Sequence, residues 1–253
     1  MNGVQAIFYR DYRQRVTNVT LVIWDLLAPL AYLLLFGSGF EQMMGKELAI
    51  DGQSFSYTAF LLAGVIAMVT FSVAMNSSWS FFADKESGIA HELLTYPITR
   101  EHILIGKIGF NVLTVLLGSV IVIAAAALVL SVPVRWDRLP VLAIVTVVST
   151  GGWFFVFSAI AIGVSRQDVF YAVTSAAFIV LMFFSSMFYP LDEVPAWFKV
   201  AAYLNPLTWQ SDLSRFALLG IGERTTLLYE GAALGVFCVV CLVFAVRSLN
   251  RAV

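Results

Sequence analysis

TAFLLAGVIAMVTFSVAMNSSW, residues Thr58 to Trp79, holds no Asp, Glu, Lys or Arg. A helix needs about 20 such residues to cross the hydrocarbon core of a bilayer. Five further runs share its character: Leu21–Phe40, Ile108–Val132, Leu139–Val164, Val169–Tyr189 and Leu227–Val246. The whole chain agrees, being 60% hydrophobic and 12% charged over 253 residues. Ordinary soluble domains carry roughly a quarter charged residues. Backbone groups in lipid must be satisfied within the segment, and the alternating strands of a membrane barrel are missing, so the spans are helices. The predicted fold class is an all-α membrane protein with six transmembrane helices in one domain covering residues 1–253.

The formal net charge is -1, and no dense Lys/Arg stripe occurs, which argues against a nucleic-acid partner. The basic residues instead set orientation. Arg10, Arg13, Arg15, Lys85, Arg100, Lys107, Arg166, Arg247 and Arg251 fall on one side; the smaller set Lys46, Arg135, Arg138, Lys199, Arg215 and Arg224 falls on the other. This bias, together with the three arginines just before the first span, predicts that both termini are cytoplasmic. The first apolar run exceeds a usual signal core and lacks an A-x-A-like site after it, so it is read as an uncleaved span. Before it, Val4, Ile7 and Phe8 share an apolar face beside Arg10, Asp11, Arg13 and Arg15, as in a helix lying along the membrane surface.

Almost no ionisable group is expected deep in a span. Asp25 in the first and Glu230 in the last are the candidates; snorkelling or a local hydrogen bond accounts for each, a substrate or inter-subunit contact being the sharper reading. Cys238 and Cys241 form a C-x-x-C pair among Val, Phe and Leu, which points to packing rather than redox or metal chemistry. His91-Glu92-Leu93-Leu94-Thr95 begins like a zinc-protease H-E-x-x-H but has Thr95 where the second histidine belongs, and His102 lies beyond Pro97. Gly39 to Lys46 ends in Gly-Lys, yet it has five residues between the glycines and Glu47 after the lysine. A phosphate-cradling loop needs four, then Ser or Thr. No nucleotide-binding domain, catalytic residue or metal site is therefore expected.

Two connections carry more pattern than loops need. In Ser80 to Lys107, Ile89, Leu93 and Leu94 have helical spacing beside Glu86 and Glu92, and Pro97 ends the helix, giving a short amphipathic element suited to docking another protein. After the fifth span, Pro190, Pro195 and Pro206 divide a stretch rich in interfacial aromatics, which reads as a re-entrant element in the outer leaflet. Gly151-Gly152 and Gly231-x-x-x-Gly235 permit close helix approach.

These two segments carry a resemblance. The cytoplasmic Glu86-x-Gly88-x-x-x-Glu92-Leu93-Leu94-x-x-Pro97 with Arg100 and Gly106-Lys107, and the outer Phe188-x-Pro190-Leu191-x-x-x-Pro195 followed by Leu204-Asn205-Pro206-Leu207-Thr208 and Arg215, stand in order between six spans. The chain thus resembles the ABC-2 type transporter permeases, a family that includes nodulation-factor, daunorubicin-resistance and polysaccharide export permeases. The resemblance implies an N-terminal interfacial helix, a cytoplasmic coupling helix and an outer re-entrant segment. It also implies a homodimer of permeases in the cytoplasmic membrane of a bacterial or archaeal-type cell, working with separate ABC ATPase subunits that bind ATP and Mg.

By the same resemblance Glu86, Gly88, Glu92, Leu93, Leu94, Pro97 and Arg100 contact the ATPase. Phe183, Phe184, Phe188, Tyr189 and Trp197 are candidates for a substrate path or outer gate, although packing against helices or lipid serves them equally. The implied cargo is an amphipathic drug, lipid or lipo-oligosaccharide/glycan. A rival reading is an ion-coupled carrier or channel built on Asp25 or Glu230.

Overall fold

The computed structural model describes residues 3–40, 48–50, 53–89, 99–192 and 194–252. In chain order these form α1 (Gly3–Thr17), α2 (Val19–Ala31), a π turn (Tyr32–Gly37), strands β1 (Leu48–Ile50) and β2 (Gln53–Phe55), α3 (Tyr57–Glu86), α4 (Arg100–Val129), α5 (Leu139–Gly163), α6 (Gln167–Phe183), α7 (Ala196–Tyr203), α8 (Pro206–Leu219) and α9 (Arg224–Ala252). The protein is a multi-pass membrane protein of predominantly helical build. Five helices are long and apolar enough to span: Val22–Phe40, Tyr57–Asp84, Glu101–Val129, Trp136–Gly163 and Arg224–Asn250.

The expected fifth span is shorter than its apolar run. Its helix stops at Phe183, and the chain turns through Ser185 to Tyr189. The cause is a competing set of hydrogen bonds. Asn205 Nδ2 donates to the carbonyls of Leu181 and Phe184 at 2.6 and 2.7 Å, taking up groups that a helix end leaves without partners. Asn205 Oδ1 meanwhile accepts from the Leu207 amide at 2.9 Å, capping α8, and Pro206 follows at the first helical position. One side chain therefore ends α6 and starts α8.

α3 is the axis of the bundle. Every residue from Tyr57 to Phe71 is buried, so this stretch is sheathed by other helices rather than by lipid. α3 packs on α4, α5, α8 and the first span, and α5 in turn carries α9 on its other side. Around Phe71 the rings of Trp153, Phe157 and Phe178 approach to centroid distances of 4.8, 4.8 and 4.6 Å. The Gly151-Gly152 pair serves this packing: a Cβ on Gly152 would lie 2.5 Å from the Phe237 ring of α9. Gly235, by contrast, faces open space.

The first span is interrupted. Pro29 lies inside α2 and removes a backbone donor, and the helix widens into the π turn at Tyr32 before regaining α geometry at Ser38. The antiparallel hairpin, with Leu48 opposite Phe55, was not expected. Its strands flank Asp51-Gly52, a dipeptide favoured in two-residue hairpin loops.

The connection expected at Ser80 to Lys107 is shorter than its sequence suggests. α3 runs on to Glu86 and α4 begins at Arg100, so Lys107 stands inside a helix. α1 lies along this part of α4. A Cβ on Gly106 would come within 2.8 Å of Ile7 Cβ and 2.9 Å of the Val4 carbonyl oxygen, so only glycine admits this approach. We expect Gly106→Leu to force α1 off α4, an overpacking cost of about 1–3 kcal/mol. Faster amide exchange in residues 3–17 and a lower thermal midpoint in lipid nanodiscs are the readouts.

Candidate functional site

α1 brings Arg10 and Asp11 against the facing ends of α3 and α4. Arg10 Nη2 lies 2.8 Å from Asp84 Oδ2, and Lys107 Nζ lies 3.0 Å from the same oxygen and 3.7 Å from Asp11 Oδ2. Lys107 also donates to Ser80 Oγ at 2.6 Å and stands 5.0 Å from the centre of the Phe81 ring. Its residue is 2% exposed, so its charge depends wholly on these partners. Burial alone would lower the pKa of Arg10, but the hydrogen bond and charge of Asp84, with Asp11 beside it, raise it above the ordinary arginine value.

A second clamp lies one step further along α1. Arg15 forms an ion pair with Asp25, whose Oδ1 accepts from Asn76 Nδ2 at 2.7 Å. Asp25 is 3% exposed, so it does not snorkel; it is held by a guanidinium and an amide. Together the two clamps tie α1 to α2, α3 and α4.

These contacts frame the connection between α3 and α4. α3 ends with Ser87 Oγ donating to the Ala83 carbonyl at 2.7 Å, and Gly88 takes φ 75, a left-handed value that suits glycine. α4 starts with a reciprocal cap: Thr99 Oγ1 accepts from the His102 amide at 3.3 Å, and His102 Nδ1 accepts from the Thr99 amide at 3.2 Å. His102 is thus a capping residue. Of the expected docking residues, Glu86 is exposed at the end of α3 and Gly88 makes the turn. Glu92, Leu93, Leu94 and Pro97 lie outside the described residues, as does the side chain of Arg100, whose backbone opens α4.

The opposite end of the bundle holds another polar group. Arg215 forms an ion pair with Asp212, donates from Nη2 to the Ser186 carbonyl at 2.9 Å and lies 3.7 Å over the Phe60 ring. Ser186 Oγ donates to Asp212 Oδ1 at 2.7 Å. Glu230 at the start of α9 is 4% exposed, and neither of its carboxylate oxygens has a hydrogen-bond partner. All five line a cavity of about 160 Å³. Snorkelling does not describe Glu230 either.

The candidate gate aromatics separate into three places. Phe184 and Trp197 meet at 6.1 Å, and Tyr189 joins them through Phe198 at 5.8 Å. Phe188 turns inward against Tyr32 at 5.7 Å, while Phe183 is exposed on its own helix. Phe198 links the first group through its 5.1 Å contact with Phe184.

Sequence reasoning missed the Arg10, Asp11, Asp84 and Lys107 cluster and the Asp212–Arg215 pair. Asp212 and Arg215 stand three residues apart in an otherwise uncharged helix, a signal of pairing on one face. The first cluster joins residues up to 96 positions apart and leaves no comparable local mark. Cys238 and Cys241 are free thiols, Cys241 buried, as packing requires.

Residues 2–219 match the family model for the ABC-2 type transporter. The chain belongs to that family, and is accordingly a membrane subunit of an ABC transporter rather than its catalytic part. It is similar to nodulation protein J of Rhizobium leguminosarum bv. viciae, with 28% identity over 254 residues covering 97% of this chain and 93% of that protein. A putative transport permease ycf38 of Pyropia yezoensis is 24% identical over 226 residues, covering 86% of this chain and 77% of its own length. The ycf38 of Porphyra purpurea is 26% identical over 214 residues, covering 84% and 71%.

Replacing Lys107 by Met removes the ammonium and leaves Arg10 as the cation that Asp84 and Asp11 share. We expect a loss of about 1–3 kcal/mol, below that for a buried charge left with no partner. Adding Asp84→Asn should restore part of it, since the two residues are directly coupled. A double-mutant cycle of unfolding in mixed micelles measures the coupling.

Proposed function

We propose that this chain is the membrane-spanning half of an exporter in the cytoplasmic membrane, with both termini in the cytoplasm. A separate ABC ATPase supplies the energy by binding ATP and Mg, and two copies of the permease pair. The observation that carries the coupling part of this reading is the double attachment of α1: its charges grip α3 just before the connection and α4 just after it. A push on residues 87–99 would therefore move α1, α3 and α4 together. Glu86, Gly88, Glu92, Leu93, Leu94, Pro97 and Arg100 form the proposed docking surface for the ATPase.

An ATPase can shift the permease only through contacts that differ between two states. Closure of the ATPase pair would supply that difference at the docking surface, and the rigid junction would carry it into the span helices. The cargo proposed is amphipathic: a drug, a lipid or a lipo-oligosaccharide. The resemblance of the sequence motifs to export permeases is what supports this range. The exposed apolar side chains of the flanking helices, such as Leu128 at 83% and Leu228 at 74%, face lipid or a second copy.

Gentle purification of the tagged chain from its native membrane tests the class. A stoichiometric P-loop ATPase is the expected companion; transport driven by an imposed ion gradient without one would instead support a secondary carrier. Charge reversal at Glu86 together with Glu92 should weaken ATPase binding about tenfold, equivalent to about 1.4 kcal/mol. Unchanged binding and unchanged coupling of ATP hydrolysis to transport in proteoliposomes would remove these residues from the docking surface.

A further inference from the structure

We propose that the cavity between α3, α8 and the start of α9 binds an ammonium group, with Glu230 as its counter-ion. The lining has an uneven charge: Asp192, Asp212, Glu223 and Glu230 are acidic, and Arg215 is the one basic residue among them. Arg215 is committed at both terminal nitrogens: its Nη1 serves Asp212, its Nη2 serves the Ser186 carbonyl, and its face lies over Phe60, while its Nε has no hydrogen-bond partner. Glu223 accepts from Thr225 Oγ1 at 2.7 Å. Glu230 is left at 4% exposure with neither carboxyl oxygen bonded to an N–H or hydroxyl donor; its neighbours are Arg215 and Asp212, an acid that it can bond only by sharing a proton.

Two carboxyl groups withdrawn from water side by side cannot both ionise, and a cation carrying N–H groups relieves that arrangement by taking the place of the shared proton. Among the described residues no three His, Cys, Asp or Glu side chains are grouped to hold a metal ion, which favours an organic cation over a divalent metal. The rest of the lining suits the body behind such a head: Pro190, Leu191, Tyr203, Ile221 and Leu227 are apolar or amphipathic. About 160 Å³ admits a small ammonium with a few carbons, and the carboxyl oxygens favour a head that carries N–H donors over a quaternary one. The inference rests on the permease reading only in making this amine part of the transported molecule.

The test needs no ATPase, so it can fail or succeed independently of the proposed partner. The full chain in nanodiscs is titrated with n-butylammonium chloride and, separately, with n-butanol, following the thermal midpoint and isothermal heats. Butylammonium should raise the wild-type midpoint while butanol does not. Glu230→Gln should bind butylammonium at least tenfold more weakly, and without amine it should melt at or above wild type because a buried acid beside Asp212 is gone. Asp192→Asn with Glu223→Gln, both at exposed positions, should weaken binding several-fold without altering the melt. Equal responses to butanol, or equal binding by Glu230→Gln, would overturn the site. So would a Glu230→Gln protein that melts well below wild type, since the carboxylate would then have a partner of its own. No response in wild type would mean that a proton shared between Glu230 and Asp212 fills the role instead, which also overturns it.

Discussion

Lys107 is the constraint on which the helical arrangement depends. An ammonium group at 2% exposure is tolerable only where carboxylates and a hydroxyl surround it, and here they come from two helices, α1 and α3, that meet the lysine on a third. Lipid offers no hydrophobic drive between helices, so close packing and polar contacts decide which helices meet. Asp84, Ser80 and Asp11 supply the polar part; Gly106, one residue before Lys107, supplies the closeness. The register of α1 on α4 and of α4 on α3 is thereby set at a single point.

The two ends of the bundle use charge differently. At the end that carries α1, Asp11, Asp25 and Asp84 each have a cation, and the result is a rigid joint between helices. At the other end the Arg215–Asp212 pair is similarly closed, bonded to Ser186 and stacked on Phe60. Glu230 beside it is not. A transporter needs both kinds of place, one that transmits motion and one that changes its occupant.

The apolar runs were legible because span length is set by bilayer thickness, and α2 through α5 and α9 fall where the sequence places them. Their ends were less so. Ser80–Glu86 and Arg100–Lys107 contain charges that hydropathy assigns to a loop, yet those charges are mutually satisfied by α1 and the helices continue through them. Phe184–Tyr189 reads as span because it is apolar, yet Asn205, some twenty residues away, draws off the carbonyls that would extend α6. Asp25 and Glu230 were recognised as singular, but their burial was not, since the counter-charge on Arg15 is visible only once α1 folds back. Local chemistry was readable in Asn205-Pro206 and Gly88; pairing across the bundle was not.

The order of the charges along the chain bears on how the protein enters the membrane. During synthesis Arg15 precedes Asp25, and Asp11 and Asp84 both precede Lys107, so each group that must be buried finds its counter-ion already made. N-terminal segments form first as the polypeptide emerges. α4 can leave the aqueous insertion channel with its lysine neutralised rather than bare. Glu230, on the last helix, enters after Arg215 and Asp212 have already engaged one another.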